Sequence, residues 1–233
     1  MIRANVRERV THEDRMLAVR LLARDQAGRE PRHAGAQDNE AGDELLDDPR
    51  LFPLLATVPL GSVPSPAFYF YVAVRHHLLA VGVDDAAVTD YLGALLLEFG
   101  LRDRAHRITD VDDATYFYVT DVVADLEAMD GRRGFLLRAH LGNFSLWLAG
   151  VFPHHIQARW ARKGGPDLEY YDALGARGFR LAAEHRLARE HGLEGVFERM
   201  ADDFGPMRVA LNRLAGGFRS SRGAWQTAGT WGH

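Results

Sequence analysis

The chain has 233 residues, a formal charge of −4 and a hydrophobic content of 47%, values typical of a globular protein with one sizeable core. It contains no cysteine, which excludes disulfides, thiolate metal sites and cysteine nucleophiles. The small negative charge gives no general attraction to nucleic acid or to anionic membranes. Residues 1–10 are basic but lack an apolar segment, so we predict no signal peptide and expect a cytoplasmic location.

Helix-forming patterns begin near the N-terminus and are then interrupted. Thr11 can cap a first helix that runs to about Asp25, within an N-terminal segment of residues 1–26. Residues 27–48 are rich in glycine, alanine, proline and acids, a composition that predicts a flexible linker. A short helical turn over residues 51–56 follows it.

Two helices with clear start and stop signals come next. Ser65 and Pro66 combine a capping hydroxyl with a proline at the first helical position, and they predict a helix that stops at Gly82. Asp84 and Asp85 open another helix, whose apolar residues recur at helical spacing until it ends near Gly100.

Three further helices are predicted in the second half of the chain, over residues 112–129, 166–190 and 194–214. The last of these is expected to bend at Gly205-Pro206, because an interior proline removes a helical hydrogen bond. The tail, residues 216–233, is rich in glycine and serine and is expected to be poorly ordered. No stretch has the two-residue alternation of a strand.

The segment 135–152 is the most informative part of the sequence. It is almost continuously apolar, yet it contains four polar residues: Arg138, His140, Asn143 and Ser145. A helix that is apolar on nearly every side belongs in a core or a bilayer, and polar groups near its middle argue against a bilayer. We therefore predict an all-α fold, one orthogonal or bundle-like domain over residues 49–215 with about six main helices around a buried helix 135–152.

A helical wheel separates this segment into two sides. One narrow strip contains Arg138, Gly142, Ser145 and Ala149. Small side chains on that strip would let another helix approach closely. The opposite side contains His140, Asn143 and Trp147, within about 60° of one another.

These three residues are the first candidates for a ligand site. His140 and Asn143 could orient a ligand against Trp147, and His140 could act as a general base. The alternative is a buried hydrogen-bonded pair with a purely structural role, because buried polar groups usually find partners.

Three other residues complete the candidate ligand-binding set: His76, His185 and Glu98. If His76 and His185 converged on His140, three imidazoles would be available to a divalent metal. The chain has no His-Glu-x-x-His motif and no helical Glu-x-x-His pair, so we predict neither a metal nor a cofactor. For Glu98, an ion pair with Arg102 one turn later is the default interpretation, and a buried carboxylate is the alternative.

Charge is unevenly distributed along the chain. Residues 84–130 contain three arginines and twelve acids, a net charge of −9, whereas residues 132–191 contain ten basic and five acidic residues, a net charge of +5. Pairing between neighbouring helices is favoured over a basic face for nucleic acid, because the positive charge is spread along helices. Neither a phosphate-binding glycine loop nor a nucleophile elbow is present.

Two runs in the central third of the chain carry a resemblance. HLGNFSLWLAGVFP at 140–153, followed by LEYYDALG at 168–175, resembles a segment of uncharacterised all-helical proteins of high-GC bacteria. The resemblance implies a helical fold and assigns no activity, so it transfers no catalytic residue.

These features favour a cytoplasmic helical module that binds a small apolar ligand or a protein partner, a second copy of the chain being one candidate. The alternative function is an enzyme, or a metal- or cofactor-binding protein, with a pocket around His140. DNA binding is disfavoured by the net charge and by the lack of a recognisable reading helix. Neither nucleic acid nor a membrane is expected as a partner.

Overall fold

A computed structural model describes residues 2–27, 44–63, 65–101, 122 and 129–220. These ranges contain helices and no strand, which confirms the all-α prediction. In chain order the helices are α1 (His12–Ala27), α2 (Leu51–Leu55), α3 (Pro66–Leu79), α4 (Ala86–Leu96), α5 (Gly131–Val151), α6 (Pro153–Lys163), α7 (Leu168–Ala183), α8 (Arg186–Glu190), α9 (Glu194–Asp202) and α10 (Phe204–Ser220). A π-helical turn, Leu97–Leu101, extends α4. Within the described ranges no helix has the length and apolar content needed to cross a membrane.

The helix starts predicted from capping residues are confirmed. At the start of α3 the Ser65 hydroxyl accepts the backbone N–H of Phe68 at 3.2 Å. At the start of α4 the Asp85 carboxylate accepts the N–H groups of Ala87 and Val88, each at 2.9 Å. Each cap satisfies N–H groups that a first helical turn leaves without a partner, so both starts are fixed by local sequence.

A buried carboxylate joins the start of α1 to the start of α3. Asp14 is fully buried and accepts the N–H and hydroxyl of Thr11 at 2.8 and 2.9 Å. It also accepts the N–H and hydroxyl of Ser65 at 3.0 and 2.6 Å. Four donors replace the water that the carboxylate loses on burial. The sequence predicts both caps separately, but it does not show that they meet.

The last residues of the predicted linker are packed against α3. Residues 28–43 lie outside the described ranges, whereas Leu46 is buried in the core. Asp47 accepts the Tyr71 hydroxyl at 2.7 Å and lies 3.1 Å from Nε of Arg75. These contacts anchor the chain before α2 begins.

The central helix is confirmed and is longer than its apolar pattern. It starts at Gly131, four residues before the predicted apolar segment, and ends at Val151. Thirteen of its 21 residues are buried, including His140, Asn143 and Ser145. Burial on nearly every side is the environment that the composition of this helix predicts.

No helix is predicted for the basic segment after the central helix, yet this segment forms α6. Only Pro153 and Ile156 of this helix are buried, and its sequence has few large apolar residues. Its boundary signals are nevertheless present. Pro153 is its first residue, and Gly164 ends it in the left-handed conformation with φ of +61°.

Two predicted long helices are each broken in two. The helix predicted over 166–190 is interrupted at His185, whose Nδ1 accepts the N–H of Leu187 at 3.1 Å and so caps α8. The helix predicted over 194–214 breaks at Asp203, just before the predicted bend. Pro206 then lies in the first turn of α10, where a missing N–H costs no helical hydrogen bond.

Two other predictions fall largely or partly outside the described residues. Of the helix predicted over 112–129, only Val122, which is helical and buried, and Met129 are described. Of the tail, residues 216–220 belong to α10 and residues 221–233 lie outside the described ranges.

Glycines bring α5 and α7 into the most extensive helix contact of the described structure. A Cβ atom at Gly178 of α7 would lie 2.7 Å from the backbone N of Gly142 and 3.0 Å from the backbone O of Arg138. A Cβ at Gly142 would lie 2.6 Å from the Phe179 ring. The predicted small-residue strip of the central helix is therefore confirmed as the contact surface for another helix. We call this contact the glycine seam.

The glycine seam predicts a large cost for one added methyl group. Gly178→Ala should destabilise the protein by about 3 kcal/mol, because the clash is with backbone atoms, which cannot change rotamer. Chemical denaturation measures this change.

Gly195→Ala in α9 is the matched control, since no atom lies within 4 Å of the added Cβ. It should leave stability unchanged or raise it by up to about 1 kcal/mol, as alanine favours helix more than glycine does. Equal stabilities of the two variants would contradict the close contact.

Candidate functional site

His140 is enclosed by aromatic rings. It is 5% exposed, and its ring lies 5.7 Å from the Phe144 ring and 6.0 Å from the Phe99 ring, between centroids. It is not among the lining residues of either of the two cavities described below. His140 thus packs among aromatic rings, and its role as a pocket wall stays a prediction.

Asn143 is bonded to a tyrosine of α4. The Tyr91 hydroxyl lies 3.1 Å from Oδ1 and 2.9 Å from Nδ2 of Asn143, and both residues are buried. Burial raises the pKa of Tyr91, because the phenolate would lose its hydration, so the hydroxyl stays protonated. This pair ties α5 to α4.

Of His140, Asn143 and Trp147, only Trp147 lines one of the two described cavities. Its ring packs edge-on against Phe99 at 5.9 Å and against Phe152 at 4.7 Å. The cavity beside it has a volume of about 570 Å³, within the usual range for small-molecule sites. We call it the aromatic cavity, and its main apolar lining residues are Leu96, Phe99, Trp147, Val151, Phe152 and Leu214.

Two histidines complete the lining of the aromatic cavity. His154 and His155 belong to the first turn of α6, and both are exposed. The His155 ring lies 5.7 Å from the Phe152 ring, against the cavity wall. The arrangement combines an apolar interior with two polar groups that can donate or accept hydrogen bonds.

The structure does not bring His76 and His185 to His140. The His76 ring lies 4.9 Å from the Phe52 ring, and the His185 ring lies 5.2 Å from the Phe135 ring. In the part of the chain that the structure describes, no three histidine or carboxylate side chains are grouped so as to hold a metal. The hypothesis that these imidazoles converge is therefore wrong.

Glu98 is a buried carboxylate beside an N-terminal arginine. It is 4% exposed, and its Oε1 lies 3.5 Å from Nη1 of Arg9. Arg102, the partner expected from the sequence, lies outside the described residues. The structure thus pairs Glu98 with Arg9, a residue near the N-terminus. Helical spacing cannot indicate a partner that is so distant in sequence.

Glu98 lines a second cavity, of about 890 Å³, which we call the polar cavity. Its charged lining residues are Arg3, Glu8, Arg9, Asp90, Glu98 and Arg132. Asp90 accepts the backbone N–H of Arg7 at 2.6 Å, although burial raises the pKa of its carboxyl. Because three arginines and three acids share this lining, it has no dominant charge.

Most of the residues that line the cavity with Trp147 are not predicted as site residues from the sequence. Phe99 was visible as the last aromatic of a predicted helix, and Phe152 as the end of the central segment. His154 and His155 belong to no motif that predicts a binding site. Their position at a cavity depends on α6, which was not predicted.

The Tyr91–Asn143 pair predicts a loss of stability when the tyrosine hydroxyl is removed. Tyr91→Phe should destabilise the protein by about 1–3 kcal/mol, because it leaves a buried amide without its hydroxyl partner. Chemical denaturation checks this. Tyr170→Phe, at a residue that is 41% exposed, is the control and should change little. A similar small effect from both variants would show that the buried bond contributes nothing.

Burial of His77 predicts a stability that falls in acid. Burial lowers the pKa of His77 to about 4, and the charges of His76 and Arg213 lower it further. In the unfolded chain the same imidazole titrates near 6.5, so the unfolded state takes up the proton first. The contribution of His77 should therefore be complete above pH 6.5 and be lost as the pH falls towards 4.

Thermal melts between pH 7 and pH 4.5 test this dependence. His77→Gln should reduce the fall in melting temperature, because it removes the group that takes up the proton. His12→Gln, at an exposed position of α1, should keep the wild-type dependence. Identical pH profiles for wild type and His77→Gln would refute the role of His77.

Comparisons with known proteins add no residue assignments. No protein-family model matches the chain. Neither a curated protein nor a solved structure is significantly similar to it. The resemblance of residues 140–153 and 168–175 to a helical bacterial family stays a prediction. The chemistry of the two cavities is what bears on function.

Proposed function

We propose that the protein is a binding protein for a small apolar ligand, which it holds in the aromatic cavity. The observation that carries the proposal is a cavity of about 570 Å³ walled by the rings of Phe99, Trp147 and Phe152. Small-molecule sites are mostly concave and apolar, with a few polar groups that fix orientation. Burial of apolar ligand surface against these rings supplies the affinity.

The three rings are held in place before a ligand arrives. The Trp147 ring meets Phe99 at an interplanar angle of 74° and Phe152 at 64°, both edge-on contacts. Edge-on contacts are favourable for aromatic rings, so each ring restrains the next. A preformed wall lowers the entropy that binding would otherwise cost.

A catalytic role for His140 has less support. His140 lines neither described cavity, and its ring is packed between Phe99 and Phe144. A general base must come within hydrogen-bond reach of a substrate proton. We therefore do not extend the proposal to catalysis. We also propose that the protein is located in the cytoplasm of a bacterium. A protein partner or a second copy of the chain is a further proposed binding partner.

Calorimetric titration of the full chain with 1-decanol tests the proposal. We expect saturable binding, and we expect Trp147→Ala to weaken it at least about tenfold, because one large apolar contact is worth roughly 1.5–3 kcal/mol. Circular dichroism establishes that each variant is folded.

Trp160→Ala is the matched control. Trp160 lies in α6, is 57% exposed and is not a lining residue of the aromatic cavity, so its removal should leave decanol binding unchanged. Absence of decanol binding, or equal affinities of the two folded variants, would contradict the proposal.

A further inference from the structure

We infer, on the basis of the proposed function, that the ligand of the aromatic cavity is an apolar molecule with an acidic head group, a carboxylate or a phosphate. Its apolar part would pack against the rings, and its head group would lie at His154 and His155. Charge around the cavity is what points to this class of ligand.

His154 and His155 are the only titratable side chains among the described lining residues of the aromatic cavity. Both are exposed at the start of α6, so they lie where the cavity can meet solvent. Each imidazole can donate an N–H to an anionic oxygen, and the bond is stronger when the ring is protonated. Imidazoles change charge near neutral pH, so this partner is available under physiological conditions.

Two of the helices that contribute to the cavity, α6 and α10, contain basic residues and no acid. α6 has the sequence PHHIQARWARK, with Arg159, Arg162 and Lys163 and without aspartate or glutamate. α10, which provides Leu214, likewise contains arginines and no acid. Because the only titratable groups of the described lining are two imidazoles, an anionic head group there would meet hydrogen-bond donors, whereas an amine would meet no acidic side chain of that lining.

Glu98 is next to the cavity residue Phe99 in sequence but is not a lining residue of the aromatic cavity. Its carboxylate is 3.5 Å from Arg9 and lines the polar cavity. The polar cavity shows the contrast, since its arginines and acids balance one another. Of the two described cavities, the aromatic one alone pairs an apolar interior with polar groups that favour one sign of charge.

The test compares ligands that share one alkyl chain and differ only in head group. Calorimetry on the full chain at pH 6 would use decanoate, decyl phosphate, 1-decanol and decylamine, all below their micelle concentrations. We expect at least one of the two anions to bind about tenfold more tightly than decanol, as a charge-assisted hydrogen bond is added. Decylamine should bind most weakly. The two anions distinguish a carboxylate from a phosphate as the preferred head group.

A double variant locates the effect. His154→Gln/His155→Gln should bring the affinity for the preferred anion down to the wild-type affinity for decanol. His12→Gln, an exposed histidine of α1, should change neither.

The possible failures are distinguishable. If decanol binds in a Trp147-dependent way and neither anion binds more tightly, or if decylamine binds best, the acidic head group is wrong and the apolar site stands. An anion preference that survives in the double variant also overturns the inference. If none of the four compounds binds, the proposed function itself is wrong.

Discussion

The contact between α5 and α7 decides how the central helix is oriented. Gly178 brings its backbone against the backbone of Gly142, and an added Cβ at either residue would overlap its neighbours. One side of α5 is therefore committed to another helix. Because side chains on an α-helix keep a fixed angular relation, the opposite side must carry Trp147 away from that contact. The glycine seam thus sets the direction in which the aromatic cavity opens.

The polar residues of the central helix have separate roles within this arrangement. Asn143 bonds to Tyr91 and holds α4, whereas His140 lies among aromatic rings. The Phe99 ring contacts both the His140 ring, which lies in the core, and the Trp147 ring, which lines the aromatic cavity. A change at Phe99 would therefore reach the core and the cavity together. The aromatic cavity extends the core to the surface, and its polar lining groups come from the next helix, α6.

The sequence was sufficient for the parts of the structure that local patterns determine. The Ser65 and Asp85 caps, the buried central helix and its small-residue strip were predicted because each depends on residues within a few turns. The helix α6 was missed since only two of its residues are buried. The break at His185 was missed because a histidine is rarely a helix cap and no glycine or proline marks the place.

The site was harder to predict than the fold for the same physical reason. A helical wheel places His140, Asn143 and Trp147 on one side, but it cannot say which neighbour each one meets. Trp147 lines the cavity, and Asn143 is held by Tyr91, 52 positions away in sequence. The pair of Glu98 with Arg9 also joins distant segments. Long-range partners of this kind follow from how helices pack, which a single sequence does not state.

The most direct measurement is photochemical mapping of a bound alkyl chain. The full chain would be irradiated with a decanoate that carries a diazirine near its methyl end, and the modified residues would be identified by mass spectrometry. The account predicts labelling of Phe99, Trp147, Phe152 or Leu214, with excess unlabelled decanoate preventing it. Labelling confined to residues of the polar cavity, or labelling that no competitor reduces, would contradict it.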